Sequence, residues 1–222
     1  TIVMLGHSRK RFDNLETILS QYVTMESVLD KIVFVWNNPD DNPPDIPKGS
    51  VPIELYYRNN SLNNRYDIKP YNISTPAVLT VDDDVWLEET LIRDMIETQK
   101  LNEIRLVGLG ARSAKNGTYQ LSGHPRIVIG QTIMWNVKFG EWYTDDEFIQ
   151  KSNDDPDYFG CDIAMNALIQ AHTGEDAMVV RKKKRLHELS FIDELPMQRK
   201  WIKKRSSCIE LYGMHFNLYK WF

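Results

Sequence analysis

Apolar residues in this chain fall into two patterns: short β-branched runs, and stretches where they recur every three or four positions. Residues 1–5, 31–36, 53–57 and 76–81 are runs of the first kind. Turn-forming Gly, Pro, Asn and Asp cluster around them, so each predicts a buried strand. Between them Leu15, Ile18, Leu19 and Tyr22, and later Leu91, Ile92, Met95 and Ile96, recur at helical spacing. Strands alternating with helices in this way predict a mostly parallel sheet with helices on both faces. The second half is less regular. Residues 105–109, 127–135 and 177–180 predict strands, with turns around Asn116-Gly117 and Gly123. Ile163, Ala164, Ala167, Leu168 and Ala171 form a helical stripe closed by Gly174, and residues 195–212 read as a helix with Pro196 in its first turn and Gly213 as its stop.

At 222 residues without an internal repeat, the expectation is one α/β domain over 1–222. Composition changes this picture little: 42% hydrophobic and 26% charged residues are ordinary for a globular domain. A net charge of −4 argues against a general polyanion binder, so no nucleic-acid partner is expected. The local exception is the basic run 181–185, read as a solvated loop able to meet an anionic acceptor or headgroup. No apolar run reaches the length needed to cross a bilayer and no signal-peptide pattern opens the chain, which suggests an excised domain. The two cysteines, Cys161 and Cys208, allow one disulfide or two buried thiols. Sequons at Asn59, Asn72 and Asn116 favour a secretory compartment.

The strongest chemical feature is Val81-Asp82-Asp83-Asp84, three carboxylates at the end of an apolar strand, where open α/β sheets bind ligands. Hard oxygen ligands there suit a divalent cation bridging a diphosphate. Capping of the following helix accounts for one of the acids, but not for three adjacent like charges. Val35-Trp36-Asn37-Asn38 ends an earlier strand, and its amides fit either a nucleobase edge or plain turn chemistry before Pro39. The loop Asn60-Ser61-Leu62-Asn63-Asn64-Arg65 offers an Arg for phosphate or carboxylate, or a solvated one. Gly160-Cys161-Asp162-Ile163-Ala164-Met165-Asn166 puts Asp162 in a helix's first turn, away from the apolar stripe, where an N-capping role is the simpler reading. The five histidines lack ligand spacing, so no zinc site is expected.

In this order, the opening strand with Arg9, V-W-N-N, the 60–65 loop, V-D-D-D, Arg112-Ser113, Val128-Ile129-Gly130, C-D-I-A-M-N and Arg205-Ser206-Ser207-Cys208 resemble the exostosin-like glycosyltransferases of family 64 over nearly the whole chain. The resemblance implies a GT-A-type nucleotide-diphospho-sugar transferase fold, with a nucleotide-binding half over about 1–110 and an acceptor and catalytic half over about 111–222. It also implies a Mn²⁺ or Mg²⁺ cofactor with a DXD-type acidic motif, and retention of anomeric configuration. Carried over, Arg9, Asn37, Asn38, Asn60, Arg65, Asp82, Asp83 and Arg112 would hold the donor, Asp84 the metal, and Asp162 and Arg205 the reacting centre. Cys161 and Cys208 match positions bridged in the family, which implies a disulfide and a Golgi or endoplasmic reticulum lumen, with a membrane anchor outside this stretch. Leu5 stands where relatives can carry a base-contacting polar residue, and one acid follows Cys161 where relatives often have two.

The function that follows from the resemblance is transfer of an N-acetylhexosamine from a UDP donor, or mannose from GDP-mannose, to a glycan or glycolipid. A protein nucleophile would need a carboxylate beneath the anomeric carbon, and only Asp162 is on offer, so same-face attack is the expected route. The rival readings are a nucleotidyltransferase of related fold, which would release pyrophosphate, and a carbohydrate-binding domain without activity.

Overall fold

The computed structural model describes residues 1–123, 126–152, 160–180, 186–189 and 199–222. Its frame is a seven-stranded sheet. β1 (Ile2–Gly6), β2 (Ile32–Trp36), β3 (Ile53–Tyr57) and β4 (Ala77–Val81) come where the apolar runs predict them. β1 pairs in parallel with both β2 and β4, and β2 with β3. On the far side of β4 lie β10 (Thr132–Asn136), antiparallel to both its neighbours, then β6 (Val107–Gly108) and β11 (Met178–Val179), so the order is β11-β6-β10-β4-β1-β2-β3. The sheet is mixed and mostly parallel, as the alternation of strand and helix predicts.

Alternate residues of each strand face opposite sides. Ile2, Met4, Ile32 and Phe34 pack into one core with α1 (Phe12–Tyr22) and α2 (Glu89–Lys100), through Leu15, Ile18, Leu19, Leu91, Ile92 and Met95. Val3, Leu5, Val33 and Val35 pack into a second core with α3 (Val137–Asp145), α4 (Glu147–Ser152), α5 (Cys161–Thr173) and α6 (Arg199–His215). Both faces being covered explains why β1 and β2 are buried at every position.

Four sequence expectations are corrected. The run 127–135 is two strands, β9 (Ile127–Val128) and β10, broken by a turn at Ile129, Gly130 and Gln131. α6 continues through Gly213, which is small because Phe222 packs against it: a Cβ there would lie 2.8 Å from the Phe222 ring. α5 is buried on all sides from Cys161 to Gln170, so Asp162 is inside the protein. Cys161 and Cys208 are buried thiols not joined by a disulfide. Both belong to the α5–α6 core, and burial pushes the Cys161 thiol up to about 12. The segments β5 (Val85–Leu87), β7 (Ala111–Lys115), β8 (Thr118–Gln120) and β12 (Leu186–Glu188) are too short or too polar to register as apolar runs. The basic run 181–185 and Pro196 lie outside the described residues.

Candidate active site

Because β1, β2 and β4 are parallel, their C-terminal ends share one edge of the sheet, the edge where open α/β sheets take ligands. Residues 9–11, 37–38 and 82–84 therefore collect there. β10 runs the other way, so the turn before it reaches the same edge: Thr132 is level with Val81, and the Asp82 amide donates to Gln131 O at 3.0 Å. The start of α5 is fastened to this turn by the Gly130 amide, which donates to Asp162 Oδ2 at 2.9 Å.

The three acids are treated differently. Arg65, itself buried, donates from Nη1 to Asp82 Oδ1 and to Gly130 O, both at 2.9 Å. Asp83 is ion-paired with Arg11, from the turn that follows β1. Asp84 makes no ion pair among the described residues, although the Arg11 charge acts on it from a distance, and its Oδ1 is buried without a hydrogen bond. Burial, and then the charges of Asp82 and Asp83, push its carboxyl up to about 7. Its backbone is held nonetheless: β12 pairs antiparallel with β5, and the Leu189 amide donates to Asp84 O at 2.8 Å. None of the acids caps α2, whose first turn follows Glu88. A half-buried carboxylate with an unsatisfied oxygen and crowded by like charge fits a divalent cation, which would replace the proton and relieve the repulsion. Among the described residues no group of three or more His, Cys, Asp and Glu side chains converges as a ready-made metal site.

Asp162 is the opposite case. Arg205 from α6 grips it with two bonds of 2.7 Å, and the amides of Ile163 and Gly130 add bonds of 2.9 Å each. Burial alone would raise this carboxyl, but the Arg205 charge and hydrogen bonds, with the Gly130 amide, hold it below the usual carboxylate range. Arg205 lies over the rings of Tyr119 and Trp201, at 4.6 and 5.1 Å from their centroids. The capping reading for Asp162 does not hold, since Gly160 is the cap residue and Asp162 reaches only the adjacent amide of its own helix.

The remaining expected donor residues are engaged in other ways. Asn37 is buried, with its Nδ2 bonded to Ser61 O at 2.9 Å and its Oδ1 accepting from Asn64 at 2.8 Å, so its amide braces the 61–65 turn. Asn38 donates to His7 O at 3.3 Å. Asn60 is exposed beside that turn. Arg9 is exposed and ion-paired with Asp41. Arg112 lies on β7, its Nη1 bonded to Ala111 O at 2.9 Å and its Nε buried without a partner. Leu5 is buried in the core. Sequence reasoning missed Arg11, Tyr119 and Trp201. The run Arg9-Lys10-Arg11 was the available signal for the first, but nothing in the sequence marks the two aromatic residues.

The mixed sheet with helices on both faces and an acid-rich edge defines an α/β domain of GT-A type. The glycosyl transferase family 64 domain matches residues 1–219, and the chain belongs to that family. Exostosin-2 of Mus musculus is 29% identical over 224 residues, which takes in 92% of this chain and 31% of the relative. Glucosamine inositolphosphorylceramide transferase 1 of Arabidopsis thaliana is 28% identical over 225 residues, with 91% and 29% covered. The chain thus spans about a third of the length of these relatives. Among solved structures, a mannosyltransferase from Pyrobaculum calidifontis in complex with GDP-Man and Mn²⁺ superposes with a TM-score of 0.56 over 98% of this chain and 71% of its own. At 8% sequence identity the likeness is one of fold.

Proposed function

We propose that this domain is a metal-dependent, retaining glycosyltransferase that moves a sugar from a nucleoside-diphosphate donor to a glycan or glycolipid hydroxyl. The observation that carries the reading is the pairing pattern at the strand edge: Asp82 and Asp83 are neutralised by Arg65 and Arg11, while Asp84 keeps an unsatisfied oxygen. Family membership supports the reaction class, and the fold shared with a mannosyltransferase supports a nucleotide-sugar donor with Mn²⁺ or Mg²⁺. The donor is a UDP-N-acetylhexosamine or GDP-mannose. Residues 1–110 would bind the nucleotide, and 111–222 would supply the acceptor side and the reacting centre. We place the domain in the lumen of the Golgi or endoplasmic reticulum, since Asn59, Asn72 and Asn116 of the three sequons are all exposed. No helix among the described residues is long and apolar enough to cross a membrane.

A cation held by Asp84 would neutralise charge developing on the departing diphosphate. Arg65 holds Asp82 in place at the rim where the donor would lie. Asp162 is a poor nucleophile, because each of its oxygens already accepts two hydrogen bonds and Arg205 fixes its plane. This favours same-face attack: the acceptor oxygen bonds the anomeric carbon as the bond to the diphosphate breaks, and the hydroxyl proton leaves with the diphosphate. The Asp162–Arg205 pair would then act as a fixed dipole beside the oxocarbenium-like centre. Asp162→Asn should keep donor affinity and lose roughly two or more orders of magnitude in turnover, as expected when a transition-state interaction is removed. Near-parental turnover on a verified donor and acceptor would remove Asp162 from the chemistry. Release of pyrophosphate in place of nucleoside diphosphate would instead favour a nucleotidyltransferase, and the absence of any donor cleavage a carbohydrate-binding domain.

A further inference from the structure

Arg11 has no part in the proposed chemistry, yet it is tied to the acidic edge. It ends the short turn Arg9–Arg11 that leaves β1, a turn fixed at its start by the Ser8 hydroxyl, which accepts from the Lys10 amide at 3.3 Å. From there its guanidinium crosses to Asp83 Oδ1, pairing residues 72 positions apart in the chain. Both side chains are largely sheltered, at 27% and 13% exposure, so the pair is not a solvated surface contact. Neighbouring carboxylates such as Asp83 and Asp84 would otherwise compete for one cation. Arg65 occupies Asp82 and Arg11 occupies Asp83, which leaves Asp84 with the unsatisfied oxygen.

We propose that Arg11 is a positioning residue that assigns the divalent cation to Asp84 by keeping Asp83 out of the ligand set. The inference rests on the reading of Asp84 as the metal ligand. Its chemical consequence concerns the diphosphate. A divalent cation held by one carboxylate retains net positive charge for phosphate oxygens, whereas one held by two is neutralised and attracts them less. Arg11 therefore trades affinity for the bare cation against affinity for the cation-bound nucleoside diphosphate.

The test is a double-mutant cycle on the purified chain. Mn²⁺ binding is read from the electron paramagnetic resonance of free Mn²⁺, and UDP and GDP binding by calorimetry with and without Mn²⁺. Arg11→Gln should bind Mn²⁺ alone about tenfold more tightly, and the Mn²⁺-dependent nucleotide about tenfold more weakly, because the freed Asp83 joins Asp84. Added to Asp83→Asn, Arg11→Gln should change neither constant by more than about twofold from the Asp83→Asn single variant, a comparison that takes out any contribution of Asp83 itself to the donor. An Arg11→Gln variant with both constants unchanged overturns the proposal. So does a further nucleotide deficit when Arg11→Gln is added to Asp83→Asn, since Arg11 would then act on the diphosphate directly. Should Arg11→Gln not fold, Arg11→Lys is measured in its place: shifts in the same directions by a smaller factor support the proposal, and unchanged constants count against it. Asp84→Asn separates this inference from the reading beneath it. If that variant binds Mn²⁺ like the parent, the metal site itself is misassigned; if it loses Mn²⁺ while Arg11→Gln changes nothing, only the role of Arg11 fails.

Discussion

Two carboxylates at the same sheet edge, Asp162 and Asp84, meet opposite fates. Asp162 is buried, accepts two bonds from Arg205 and two from backbone amides, and is held ionised. Asp84 is half-buried, keeps an unsatisfied oxygen, and is pushed toward its neutral form by burial and its two acidic neighbours. A carboxylate whose valences are filled by the protein is fixed in place, while one left unfilled in a crowded acidic turn has a valence that a cation could take. The first belongs to the contact between α5 and α6, the second to a strand end held by the β5–β12 pair, by backbone bonds and by the arginines on its two neighbours.

The contrast breaks most visibly if one partner of the filled pair is removed. Arg205→Ala leaves a buried, uncompensated carboxylate and should lower the unfolding free energy by about 3–5 kcal/mol, measured by urea denaturation. A loss under about 1 kcal/mol would mean that the pair behaves like a solvated surface bridge. Acid adds a second handle. The folded Asp162 carboxyl lies below its unfolded value of about 3.9, so its stabilisation is complete above that pH. As pH falls from there through the folded value, the unfolded state protonates first and the stabilisation is lost. Asp162→Asn should lack this component of the acid transition.

Gly130 joins the two regions, and its substitution should have an intermediate effect. A Cβ there would sit 2.9 Å from Arg65 Nη1 and 3.5 Å from Asp162 Cβ. Gly130→Ala should cost about 1–3 kcal/mol through overpacking. It should weaken nucleotide binding by displacing Arg65 from Asp82, and unchanged affinity would show that the Arg65–Asp82 pair does not shape the donor site. At the small end, Arg9→Ala should leave the unfolding midpoint unmoved, because Arg9 and Asp41 meet in solvent. A clear fall in nucleotide affinity in that variant would place Arg9 in the donor site.

The parallel half of the sheet is readable in the sequence because strands buried on both faces are continuous apolar runs, as Ile2–Gly6 and Ile32–Trp36 show. Asp82, Asp83 and Asp84 directly follow such a run, Ala77–Val81, and this alone puts them at the edge where open α/β sheets take ligands. Periodicity says nothing of the division of labour among them, since Arg65 and Arg11 arrive from other elements. Asp162 looks outward-facing in the sequence for a related reason. A helix buried all round has no polar stripe to read, and an ion pair with a residue 43 positions away leaves no local trace. The turn at Gly130 is hidden by the apolar residues that flank it, and Gly213 marks a close approach by Phe222 in the last turn of a helix that runs on to His215.

If Asp84 is the carboxylate kept open for a divalent cation that carries a nucleoside diphosphate, its neutral isostere must lose the nucleotide along with the metal. Calorimetric titration of UDP and GDP, with and without Mn²⁺, into the parent and Asp84→Asn reads this out. At least one nucleotide should bind the parent in a Mn²⁺-dependent manner, and that affinity should fall by roughly a hundredfold in Asp84→Asn, whose unfolding midpoint is not lowered. Equal Mn²⁺-dependent affinity in the two proteins would mean that the cation is held elsewhere.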